Sequence, residues 1–186
     1  SDKLTRWEIL ILNDMALTTS LKFDSTGNFK FLEDAEKVYL NILDLTKKSK
    51  IDGISRDDYI TKDNLSDIYA SKGDFKKALH FVKESYEECV VVNNVNDTRC
   101  LTTQISYANI VSVFDLKKGI GLLEQFIIDE PKTNRNFLRQ RVNARGSLSV
   151  LYADLGNTKK SEKIMLEAVN LIDPTDSRFK DTYVLT

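Results

Sequence analysis

The chain has 186 residues, 41% hydrophobic and 30% charged, with 27 Lys and Arg against 28 Asp and Glu and a net charge of −1. That balance gives no electrostatic drive toward nucleic acid or an anionic membrane, and no apolar run reaches the roughly 18 residues that a membrane span needs. The 7 Gly and 2 Pro are too few for a many-stranded β fold with a turn every ~8–12 residues.

The first predicted helix, "TRWEILILNDMALTTSLKF", carries Trp7, Ile9, Leu10, Leu12 and Leu17 as core residues. A longer connection, "DSTGN", leads to a second helix in "GNFKFLEDAEKVYLNILDL". The segment "TKKSK" (46–50) then places cations where the dipole of that helix favours them. In "RDDYITKDNLSDIYASKG", Ile60, Leu65, Ile68 and Tyr69 fall near a helical period of about 3.6. The pattern halts at Lys-Gly-Asp and restarts as "GDFKKALHFVKESYEE". Two further pairs follow: "CLTTQISYANIVSVF" with "FDLKKGIGLLEQFIIDEP", and "RQRVNARGSLSVLYADLG" with "GNTKKSEKIMLEAVNLIDP". Val142, Leu148, Leu151, Tyr152 and Leu155 carry the apolar period of the last A helix.

The second helix of each pair holds a small residue in one role: Ala35, Ala78, Gly119 and Ser161, spaced 43, 41 and 42 residues apart. Small side chains suit a position where two helix backbones approach closely. Gly73 and Gly156 fit the left-handed position that ends an A helix, where a side chain would be strained. The chain therefore reads helix A, turn, helix B, four times, over residues of about 4–49, 56–93, 97–130 and 134–173. A further helix at 176–186, containing Leu185, breaks off at the end of the sequence. With Ser1 in place of an initiator Met, residues 1–186 read as a single helical repeat domain cut from a larger protein.

Those residues carry a resemblance. Leu65, Tyr69, Gly73, Ala78, Val82 and Ser85 fall on the tetratricopeptide repeat pattern. So do Leu148, Tyr152, Gly156, Ser161, Met165 and Ala168, with Pro174 nearby. The third pair matches at Tyr107, Ala108, Gly119, Leu123 and Pro131 if its turn is one residue shorter; the first keeps Ala35 and Tyr39. The chain resembles this family over essentially its whole length. It departs from it in lacking the family Trp and in a longer period than the usual ~34 residues, as in kinesin light chains and bacterial peptide-sensing regulators.

The resemblance implies an all-α, right-handed superhelix in which A helices line a concave groove for an extended or helical peptide. The positions it assigns to that groove are Asn64 and Asp67, Ser106 and Asn109, and Asn143 and Ser147. Asn offers a donor and an acceptor to any peptide backbone; the plainer reading is that these are solvated polar positions. The carboxylate clamp of chaperone-binding members does not fit. Asn64 meets its middle Asn, but Asn143 and Ser147 stand where it needs two cations, and without them a carboxylate gains little.

The implied function is a non-catalytic protein- or peptide-binding module, with no cofactor and no nucleic-acid or membrane contact of its own. Self-association through the terminal repeats is a further contact such ends allow. The main rival is a sensor domain of a larger signalling protein, either a sensor kinase or a peptide-sensing transcription regulator. A spacer without ligand is the next, and an enzyme comes last. The compartment stays open between cytoplasm and periplasm.

Other signals are set aside. His80 is the lone histidine, without metal-spaced partners, and reads as a surface residue. "KKGIGLLEQ" lacks the ending of a phosphate loop. Cys89 and Cys100 flank "VVVNNVNDTR", where antiparallel helix ends could bring them into disulfide range. Two Cys is a low count, so buried free thiols are the favoured reading. Arg135, Arg139, Arg141 and Arg145 form two faces of one helix. A solvated face is expected, with a contact patch for an acidic partner as the minority reading. Trp7 and its neighbours would be the place for upstream repeats to stack.

Overall fold

The computed structural model describes residues 5–49, 58–93, 96–130 and 137–172. They form eight helices: α1 Arg6–Thr26, α2 Lys30–Ser49, α3 Asp58–Ser71, α4 Phe75–Val92, α5 Thr98–Phe114, α6 Leu116–Asp129, α7 Leu138–Asp154 and α8 Thr158–Asn170. No strand occurs among the described residues, and the fold is all-α. No described helix is long and apolar enough to cross a membrane. The chain divides into two compact units, one up to Thr103 and one from Gln104 onward, with the boundary inside α5. The further helix expected over 176–186, together with Pro131, Arg135 and Pro174, lies outside the described residues.

Two hairpin turns are built alike. Gly73 (φ 78°) and Gly156 (φ 81°) take the left-handed conformation that the sequence requires of them. The amide of Asp74 then donates to the Tyr69 carbonyl, and that of Asn157 to the Tyr152 carbonyl, each at 2.8 Å. This six-to-one bond satisfies carbonyls that a helix end otherwise leaves orphaned. Asp74 and Asn157 also cap the following helix, accepting from Lys77 and Lys160. The α5–α6 turn has no glycine; Asp115 alone separates the helices and caps Lys118. The first connection is shorter than expected, because α1 continues through "DST" to Thr26 and stops at Gly27 (φ 64°).

The small residues sit where backbones meet. Ala35 and Ala78 are fully buried. Ser66 of α3 donates to the Ala78 carbonyl at 3.0 Å, and Ser149 of α7 to the Ser161 carbonyl at 2.9 Å. At Gly119 the approach is closer: a Cβ there would lie 2.4 Å from Ser112 Cβ and 2.9 Å from the Ala108 carbonyl oxygen. Leu32, Tyr39, Ile42, Leu65 and Val82 fill the interior of the first unit. Leu123, Phe126, Leu148 and Ile164 fill that of the second. Each such side chain stabilises by about 1.5–3 kcal/mol when fully buried.

Three expectations are corrected. Trp7 is 76% exposed and Leu17 is exposed as well; of the expected α1 core, Ile9 is buried and Leu10 and Leu12 partly so. Trp7, Ile11 and Met15 form a stripe along α1 that no described residue covers, so periodicity alone gave this helix one apolar face too many. Cys89 and Cys100 are a buried disulfide with Cα atoms 5.5 Å apart, joining the last turn of α4 to the first of α5. Arg145 is buried and Arg141 largely so, with only Arg139 of the described helical arginines expected on the surface exposed. Both buried guanidiniums face Glu130, whose side chain is also buried: Arg145 Nη2 lies 2.7 Å and Arg141 Nε 3.1 Å from Glu130 Oε1. Low-dielectric surroundings demand this pairing, since an isolated buried charge is costly.

Candidate functional site

In the first unit α1, α2 and α3 enclose a cavity of about 150 Å³. Its polar wall consists of Ser20 and Asp24 from α1, Tyr39 from α2, and Asn64, Asp67 and Ser71 from α3. Leu17, Leu21, Leu32 and Ile68 supply the apolar part. Asn64, Asp67 and Ser71 reach one cavity because residues three and four apart share a helix face. The exposure of Leu17 and Leu21 has the same origin: they line an opening instead of packing into the core. Asn64 and Asp67, assigned to a groove from the sequence, thus lie together in one concave site.

The electrostatics of this wall are one-sided. Asp67 is open to water, yet the surrounding protein pushes its carboxyl up to about 6. One turn earlier Asp63 is half-buried, with Oδ1 sealed from solvent and without a hydrogen-bond partner. Burial and the charge of Asp67 push it up to about 7, against a hydrogen bond from Thr103. Tyr39 is fully buried and its hydroxyl has no partner. Burial raises that phenol well above its ordinary value, helped by the negative charges of Asp67 and Asp14.

Three lysines on or beside α1 and α3 are occupied elsewhere. Lys62 of α3 turns to α4, bridging Glu84 at 3.0 Å and pairing with Glu88. Lys72 pairs with Glu36 of α2 at 2.6 Å, and the Tyr69 hydroxyl donates to the same carboxylate. Lys22 of α1 lies over the Phe31 ring. None of these lines the cavity.

The second unit holds the other four expected positions. Asn109 Nδ2 donates to Ser147 Oγ at 3.1 Å, so α5 and α7 are tied through these two side chains. Ser106 is half-buried on α5 and Asn143 exposed on α7. A separate cavity on the α6 and α8 side, lined by Ile127, Leu148, Lys159, Lys163 and Ile164, contains none of the four. His80 is exposed and faces Glu84 at 3.4 Å. Among the described residues no cluster of His, Cys, Asp or Glu has the arrangement of a metal site.

Sequence reasoning missed Tyr39 as a wall residue, because it lies on a B helix and the groove was assigned to A helices. Asp24 was missed because it was read as connection, whereas α1 carries it into the cavity.

The fold is shared with solved structures. BtubC (BKLC) from P. vanneervenii superposes with a TM-score of 0.68 at 15% identity, covering 91% of this chain and 68% of that one. A Podosopora anserina putative kinesin light chain with nearly identical TPR-like repeats gives 0.65 at 14% identity, over 88% of this chain and 74% of that one. A variant of that same kinesin light chain gives 0.67 at 14% identity over the same shares. No protein-family model matches the chain, and neither does any curated protein. The likeness establishes a TPR-like helical repeat fold.

Proposed function

We propose that this chain is a non-catalytic binding module that receives a peptide or protein segment on its A helices. One observation carries the reading: Asn64 and Asp67 share a cavity whose wall includes a buried hydroxyl without a partner. A buried polar atom without a partner costs about 1–3 kcal/mol, which a bound donor or acceptor recovers. Asn109 and Ser147, already paired at 3.1 Å, would serve the second unit by exchanging that bond for one to the ligand backbone. Ser106 and Asn143 complete the set on α5 and α7. The near-neutral charge supports a protein partner over nucleic acid or membrane. The Cys89–Cys100 bond favours an oxidising compartment, and so the periplasm over the cytoplasm.

An array of short capped peptides tests the module. Wild type should retain a subset of them, and Asn64→Ala and Asn109→Ala should each weaken that retention about ten-fold, in keeping with loss of hydrogen bonds worth ~1.5 kcal/mol. Equal retention by wild type and both variants would remove the groove from the account.

A further inference from the structure

We propose that the cavity between α1, α2 and α3 receives the cationic side chain of a bound segment, a lysine or an arginine, with Asp67 as its counter-ion and the Tyr39 hydroxyl as a second acceptor. The proposal rests on the module reading above and gives its ligand a chemistry.

Size comes first. A volume of about 150 Å³ corresponds to roughly five waters at ~30 Å³ each, which is room for one long side chain and not for a folded element. Charge comes second. The wall carries two carboxylates, Asp24 and Asp67, and no Lys, Arg or His. Asp14 and Asp63 add negative charge near Tyr39 and Asp67. Of the cations on or beside the same helices, Lys22 is held by Phe31, Lys62 by Glu84 and Glu88, Lys72 by Glu36, Lys37 by Asp34 and Lys48 by Asp44. An anion entering here meets like charge and is turned away.

Hydrogen bonding comes third. An ammonium has three donors and a guanidinium five, and neither accepts. The wall answers with acceptors: the Asp67 carboxylate, Asn64 Oδ1, the Ser20 and Ser71 hydroxyls, and the Tyr39 oxygen. Tyr39 gives the argument a footing apart from acidity. Tyr39 lines the cavity and its hydroxyl is buried without a partner, so once the side chains over it make way for the ligand it accepts with no internal bond to displace. The apolar residues fit the same occupant. Leu17 and Leu21, exposed on α1, lie against the methylene stem that Lys and Arg bury while their heads stay polar.

The experiment uses the capped peptide array, read for residue preference. Peptides retained by wild type should be enriched in Lys or Arg. Replacing the enriched Lys by norleucine, or the Arg by citrulline, should weaken binding at least ten-fold. Asp67→Asn should abolish the enrichment, and Tyr39→Phe, which keeps the ring, should weaken the basic peptides several-fold. Thermal melts of both variants check the fold, and neither substitution empties core volume. Retention without basic enrichment, or equal binding by the norleucine or citrulline twin, overturns the proposal. If Asn64→Ala still lowers retention in that case, the module reading survives alone. If wild type retains no peptide, both fall.

Discussion

The two units hold acid in opposite ways. In the second, Glu130 at the end of α6 is matched by Arg141 and Arg145 of α7, with every charge in the cluster answered from within the chain. In the first, Asp63 is half-buried on α3 with one oxygen unpartnered and Asp67, one turn on, is open to water; both carboxyls are pushed upward, while Lys62 and Lys72 pair with other residues. The units also fasten a B helix to the next A helix differently: the first by the Cys89–Cys100 bond, the second by the ion cluster. The contrast separates charge that holds the fold from charge that costs the fold. A buried acid with matched partners is structural. One without them is tolerated at a loss in stability, and that loss points to a role beyond folding.

The largest expected effect comes from breaking the matched cluster. Glu130→Ala leaves two guanidiniums without their counter-charge and should cost about 3–5 kcal/mol, read as an earlier urea midpoint by circular dichroism. Replacing Cys89 and Cys100 together by Ala should cost ~3 kcal/mol, from the restored freedom of the loop they close. Hydrogen exchange should then rise around α4 and the start of α5, while α7 and α8 stay protected.

The unmatched acid should behave in the reverse sense. The folded chain holds Asp63 at about 7 against an ordinary 3.8, so it binds more protons than the unfolded chain between these values. The stability Asp63 contributes is therefore present at low pH and lost as pH rises through about 7. Asp63→Asn should flatten that decline and raise stability at pH 8 by ~1–2 kcal/mol, measured as denaturant midpoints across a pH series. A loss at pH 8 would show that the hydrogen bond from Thr103 outweighs the cost of burying the Asp63 carboxylate.

A smaller pair of changes sharpens the packing side of the second unit. Gly119→Ala forces a methyl into Ser112 and the α5 backbone and should cost about 1–3 kcal/mol. Gly121→Ala, on the same helix with nothing within 4 Å of its Cβ, should stabilise by ~0.5–1 kcal/mol. Opposite shifts in melting temperature, two residues apart, would identify the close approach of α5 and α6 as local to Gly119.

The legible features were those written in local sequence. Gly73 and Gly156 declare their turns because other side chains are strained there, and Ala35, Ala78 and Gly119 declare close backbones by their size. Reading α3 as an A helix put Asn64 and Asp67 on one helix face, where they line one cavity. What stayed hidden depends on partners distant in sequence. Arg141 and Arg145 at helical spacing look solvated until Glu130, across the α6–α7 connection, is brought to them. Cys spacing alone does not distinguish a bond from two buried thiols. Tyr39 reads as core from its helix, and only the arrangement of α1 and α3 around it makes it a wall residue of a cavity.

The covalent bridge across the α4–α5 connection has a consequence for proteolysis. A protease cutting anywhere between Cys89 and Cys100 would sever the backbone without releasing a fragment. The nicked molecule would migrate at full mass on a non-reducing gel and separate into two bands only after thiol treatment.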